Sequence, residues 1–124
     1  MDSLSPNIFV RNINETIAFY KQLGFQLIAS VPDNGNYVWV MMSCGNVTVM
    51  FQTFESLGNE LLEISRASGG SLLLYIKLKN IRTFFENIHD NVVVLKELDK
   101  TFYGATEFTI MDNNGYVLTF AEDE

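Results

Sequence analysis

The sequence predicts an α+β chain of two βαβββ modules, and three observations carry that prediction. Strand-like and helix-like segments recur twice in the same order, the second half echoes the first, and the composition is that of an ordinary folded protein. With 124 residues, 48% apolar and 19% charged, the chain has the size of one folding unit with one good core. We expect a single domain over 1–124, with module 1 at about 4–54, a linker helix at about 55–70 and module 2 at about 71–122.

In chain order, Ser5 to Val10 reads as a short strand. Asn12-Ile13-Asn14-Glu15 then offers a polar helix cap before Ile13, Ile17, Phe19 and Tyr20, and Gly24 ends the helix. Phe25 to Val31 is a β-branched and apolar run, and Pro32 to Asn36 is dense in turn formers. Tyr37 to Ser43 is the next strand, Gly45-Asn46 a turn and Val47 to Thr53 the strand after it. Leu57, Leu61, Leu62 and Ile64 then recur at helical spacing amid charges, closing on Ser68-Gly69-Gly70, which predicts the connecting helix. Ser71 to Leu78 is a strand, and Asn80-Ile81 opens a helix carrying Ile81, Phe84, Phe85 and Ile88. Val92 to Leu95 begins another strand, Glu107 to Met111 the following one, and Asp112-Asn113-Asn114-Gly115 turns into Tyr116 to Glu122.

Setting the halves side by side pairs Ile8 with Ile76, Val10 with Leu78, Asn12 with Asn80 and Ile13 with Ile81. Further on, Met42 meets Met111, Gly45 meets Gly115, Val47 meets Val117 and Gln52 meets Glu122. A repeat of this length means two copies of one supersecondary unit, not a solenoid.

The formal net charge of −7, with the basic residues scattered, disfavours nucleic acid and favours a cationic ligand, although moderate acidity also serves solubility. The chain start has no basic region followed by an apolar stretch, and no run approaches the roughly 18–20 apolar residues of a membrane span. No membrane partner and a cytoplasmic location are expected. The single Cys44 cannot form an internal disulfide, which fits a reducing compartment. His89 reads as a surface or helix-capping histidine, and Cys44 as structural. No Gly-rich phosphate loop, nucleophile elbow or His-Glu-Xaa-Xaa-His segment is present. Glu97, Glu107 and Glu122 are the acids that could pair for proton transfer, but nothing in the sequence fixes their separation.

Two segments carry a family likeness. Val10-Arg11-Asn12-Ile13, Ile17-Ala18-Phe19-Tyr20 and Leu23-Gly24-Phe25 form the first; Tyr103 to Phe108, Asp112 to Tyr116 and Leu118-Thr119-Phe120 form the second. With them the chain resembles the vicinal oxygen chelate superfamily, which includes glyoxalase I, bleomycin-resistance proteins, fosfomycin-resistance enzymes and extradiol dioxygenases. The resemblance implies cupped mixed β-sheets with helices outside. Metal-dependent members hold a divalent ion on four strand positions, which correspond here to Ser5, Val49, Leu73 and Thr119. Valine and leucine offer no ligand atoms, and two hydroxyls are weak neutral ligands, so neither metal nor other cofactor is expected.

Strand alternation from those positions assigns residues to the cup. Asn7 and Phe9 follow Ser5, Val47 and Phe51 flank Val49, Tyr75 and Lys77 follow Leu73, and Val117 and Ala121 flank Thr119. With Trp39, Tyr37, Phe102 and Tyr103 as further walls, and Glu107 as the acid at the rim, the cup would suit a flat or cationic molecule; equally, the aromatics could simply fill the core. The expected ligand-pocket set is Asn7, Phe9, Trp39, Val49, Phe51, Leu73, Tyr75, Tyr103, Glu107 and Thr119. The first reading is a non-catalytic, homodimeric protein that sequesters an aromatic or cationic compound as bleomycin-resistance proteins do. The alternatives are a lyase or isomerase resembling glyoxalase I with an atypical site, and a regulatory domain whose pocket is self-filled.

Overall fold

A computed structural model describes residues 1–124 and divides the chain into two units, Met1–Ser68 and Gly69–Glu124. In the first, β1 (Asn7–Val10) leads to α1 (Ile13–Gln22), then β2 (Gln26–Val31), β3 (Trp39–Cys44), β4 (Val47–Thr53) and the single-turn α2 (Phe54–Leu57). The sheet order is β1-β4-β3-β2, with β1 parallel to β4 and the other pairs antiparallel.

Helix α1 forms where the sequence places it. The Asn12 side chain accepts the Glu15 N–H at 3.0 Å, and Ile13, Thr16, Ile17 and Tyr20 make one buried stripe. At its other end the Gly24 N–H bonds the Lys21 carbonyl and the Phe25 N–H that of Tyr20, the paired closure that needs a left-handed residue; Gly24 has φ +102°. Beneath the helix, the Tyr20 ring lies 4.7 Å from Phe51 and 5.6 Å from Phe25, centroid to centroid.

The second unit repeats the plan with β5 (Leu73–Lys77), α3 (Ile81–Ile88), a 3-10 turn His89–Asn91, β6 (Val93–Lys100), β7 (Ala105–Met111) and β8 (Val117–Asp123). Its order, β5-β8-β7-β6, and its strand senses match the first. The core under α3 is aromatic: Phe84 and Phe85 each lie 4.9 Å from a sheet ring, Phe120 and Phe108 respectively, and those two are 5.2 Å apart. Strand β6 departs from regular pairing twice, between Val94 and Lys96 and between Lys96 and Asp99.

Three expectations need correction. The linker helix over about 55–70 is not formed: only Phe54–Leu57 is helical, and Leu61 takes φ +48°. The guanidinium of Arg66 instead draws the chain around itself, donating to the carbonyls of Gly58, Glu60, Leu61 and Ile64. A helix would have engaged several of those carbonyls itself.

The repeat also slips by one residue at its end. Ile8 pairs with Phe51 while Ile76 pairs with Phe120, and Met42 with Val49 while Ile110 pairs with Leu118. The second hairpin is thus longer by one residue, not two, and the pairings Met42–Met111, Val47–Val117 and Gln52–Glu122 are each one position out.

The third correction follows from the slip. Val49 and Phe51, expected to line the cup, are buried at 2% and 0% exposure on the helix side of their sheet, Phe51 against Tyr20. The neighbouring positions take the open face: Met50 pairs with Asn7, and the Asn7 amide donates to the Gln52 side chain at 2.9 Å. A shift of one residue along a strand exchanges its faces.

Candidate functional site

The open face of the second sheet gathers five of the ten expected site residues. Tyr75 pairs with Thr119, Thr119 with Thr109, and Thr109 with Lys96, so one row crosses all four strands. Glu107 lies two residues along β7 from Thr109, on the same face. Together with Leu73, Leu95, Val117 and Tyr103, these residues line a depression of about 430 Å³. A second depression of about 650 Å³ follows β6 and shares Lys96, Tyr103, Glu107 and Thr109 with the first.

Glu107 is the centre of the site. The hydroxyls of Tyr75 and Tyr103 both donate to its Oε2, the latter at 2.6 Å, while Oε1 receives no bond from the chain. Tyr75 reaches it across the sheet from β5; Tyr103 reaches back from the loop before β7, whose closure is set by the Thr101 hydroxyl accepting the Ala105 N–H at 3.0 Å. No lysine, arginine or histidine forms an ion pair with Glu107. Donation to the carboxylate raises both phenol pKa values above the ordinary value of 10.0, since ionising either hydroxyl would lose the bond and set two anions together.

The expected residues thus divide by position. Leu73, Tyr75, Tyr103, Glu107 and Thr119 come together in the second unit. In the first unit Asn7, Phe9 and Trp39 share the open face of the other sheet, with Asn7 and Trp39 paired across strands to Met50 and Gln52 and the Phe9 ring 6.2 Å from Phe54. Phe102 is fully exposed beside Tyr103. Lys77 turns to Asp123 at 3.0 Å, and His89 caps its own helix through the Phe85 carbonyl.

Lys96, Leu95 and Thr109 were missed in the sequence. The sequence marks Val92–Leu95 as the start of a strand without fixing its extent, and the two irregularities in β6 break the period-2 alternation that assigns faces. For Lys96 the available signal is a lysine directly following an apolar run, and for Thr109 it is alternation from Glu107 along the expected strand Glu107 to Met111.

A divalent ion of the kind held by metal-dependent relatives does not fit these residues. In the second unit the positions corresponding to the family's ligands are Leu73, which has no ligand atom, and Thr119, whose hydroxyl bonds that of Thr109 at 2.8 Å, and Glu107 is the one carboxylate lining the depression. In the first unit the open-face position is Met50 instead of Val49, a thioether that does not suit a hard or borderline ion. Nowhere do three or more His, Cys, Asp or Glu side chains converge as a metal site would require.

The sequence profile of the Glyoxalase/Bleomycin resistance protein/Dioxygenase superfamily matches residues 3–120. The chain belongs to this superfamily. Solved structures show the superfamily fold over its whole length. A glyoxalase/bleomycin resistance protein/dioxygenase family enzyme from Burkholderia phytofirmans PsJN superposes with a TM-score of 0.79 at 23% identity over 97% of both chains. A bleomycin resistance determinant encoded on the transposon Tn5 gives 0.71 at 20% identity, covering 100% of this chain and 99% of the other. A bleomycin-binding protein complexed with bleomycin gives 0.67 at 20% identity over 100% of both. No curated protein sequence matches the chain significantly. Superfamily membership explains why the two βαβββ units recur, and leaves the chemistry to the site itself.

Proposed function

We propose that this superfamily member is a non-catalytic, metal-free binding protein whose second-half depression sequesters a small cationic aromatic compound. The observation that carries this reading is the Glu107 carboxylate: fixed by two phenols, without a cation of the chain, and with Oε1 open in an aromatic wall. An unpaired anion in a partly apolar setting is complementary to an external cation, and the Tyr75 and Tyr103 rings add cation–π attraction. A structural neighbour that binds bleomycin supports small-molecule capture as a use of this fold. A homodimer is part of the proposal, supported by apolar side chains on the edge strands: Ile28 and Val31 on β2, Val93 and Leu95 on β6 are each about half exposed. No helix is long and apolar enough to cross a membrane.

The test is calorimetric titration of the protein and of Glu107→Gln with benzylamine and with benzyl alcohol, its neutral counterpart. Benzylamine should bind roughly tenfold or more tightly than the alcohol, and Glu107→Gln should remove the difference. Equal binding of the two, or a preference that survives in Glu107→Gln, contradicts the proposal. Elemental analysis of protein purified without chelator should find no stoichiometric divalent ion; one nickel, zinc, manganese or iron per chain would overturn the metal-free part.

A further inference from the structure

The smaller depression holds two charged residues, Glu107 and Lys96, of opposite sign; all its other lining groups are apolar or hydroxyl-bearing. Neither is neutralised by the chain: no ion pair involves Lys96 or Glu107, with each other or with any other residue. Two opposite charges on one wall ordinarily find each other. Here they are held apart, because Tyr75 and Tyr103 fix the Glu107 carboxylate and the strand irregularities on either side of Lys96 set its own position. Lys96 stands directly across from Thr109, and Glu107 is two residues further along β7, so the two backbone positions lie roughly 8 Å apart on one face.

We infer that the occupant of this depression is zwitterionic: an ammonium or guanidinium group on Glu107 Oε1, an apolar or aromatic spacer, and a carboxylate or similar anion on Lys96 Nζ. This rests on the cation-binding reading above and adds to it the anionic end of the ligand. The floor between the charges suits the spacer. The Thr109 and Thr119 hydroxyls share one bond at 2.8 Å, and Leu73, Leu95 and Val117 offer apolar contact. A ligand bearing only a cation would leave the Lys96 ammonium without an anion, and one bearing only an anion would leave Glu107 without a cation. A charge at each end of one small molecule meets both.

Calorimetric titration with 4-(aminomethyl)benzoate, benzylamine and benzoate tests this, because the three share one ring and differ only in their charges. The zwitterion should bind roughly tenfold or more tightly than benzylamine. Lys96→Met should bring the ratio of zwitterion to benzylamine affinity down to about one, whatever its effect on benzylamine itself, and Lys96→Arg should retain the ratio. Equal affinity for the zwitterion and benzylamine, or an advantage that persists in Lys96→Met, overturns the anion subsite while the cation site stands. If neither amine binds, the cation-binding reading fails and this inference fails with it.

Discussion

Among single residues, the two carboxylates that matter most are held in opposite ways. Glu107 accepts phenol hydroxyls and so raises the pKa of its partners; Glu122 accepts the backbone N–H groups of Asn80 and Ile81 at 3.1 and 3.0 Å and is itself lowered. Glu122 replaces a side-chain cap that Asn80 cannot supply, because Asn80 adopts φ +61° and its amide makes no capping bond. A group with a lowered folded-state pKa contributes stability above its ordinary value of about 4.5 and loses that contribution as pH falls through the lowered one. Glu122→Gln should therefore lower Tm at neutral pH and flatten the acid limb of a Tm-against-pH series; an unchanged acid limb would contradict the assignment. The phenols run the other way. Their contribution is complete below pH about 10 and is lost as pH rises through their raised values. In a spectrophotometric titration of the five tyrosines, Tyr75, Tyr103 and Tyr116 should remain protonated beyond pH about 10. Glu107→Gln should bring the first two back toward the ordinary value and leave Tyr116, which is raised chiefly by its own burial.

At the level of elements, the sequence is most legible where local chemistry decides. Asn12, the buried stripe of α1 and Gly24 define one helix from cap to closure, and each strand of the first unit overlaps its expected segment. Legibility fails where a distant group overrides local pattern. Leu57, Leu61, Leu62 and Ile64 have helical spacing, yet a single guanidinium takes the carbonyls of Gly58, Glu60, Leu61 and Ile64 out of helical pairing. Arg66→Ala should cost about 1–2 kcal/mol and raise amide exchange across 58–66 without disturbing the sheets. Arg66→Lys should not rescue it, because an ammonium cannot reproduce the planar fork. Protection across 58–66 equal to that of the unaltered protein would show that the loop holds itself. Val49 and Phe51 failed for a different reason. Alternation was right, but the turn length that sets its phase could not be read from Gly45-Asn46 and Asp112 to Gly115 alone.

Across the whole chain, two units of one plan have acquired different open faces. The first carries an amide pair, Asn7 with Gln52, beside Met50 and Trp39; the second carries the Glu107 centre and its Lys96 counterpart. The likeness of the halves was plain in Ile8 and Ile76 or Val10 and Leu78, because core positions answer to burial and recur. Their difference was half visible. Glu107, Tyr75 and Tyr103 each stood out as an acid or an aromatic, but that two hydroxyls converge on one oxygen depends on side-chain reach that periodicity does not encode.

A crystal structure with benzylamine bound tests the central claim most directly. The account predicts the ammonium against Glu107 Oε1, flanked by the Tyr75 and Tyr103 rings, with both hydroxyls still on Oε2. An amine bound elsewhere with this depression left open, or a divalent ion held at Thr109 and Thr119, would contradict it.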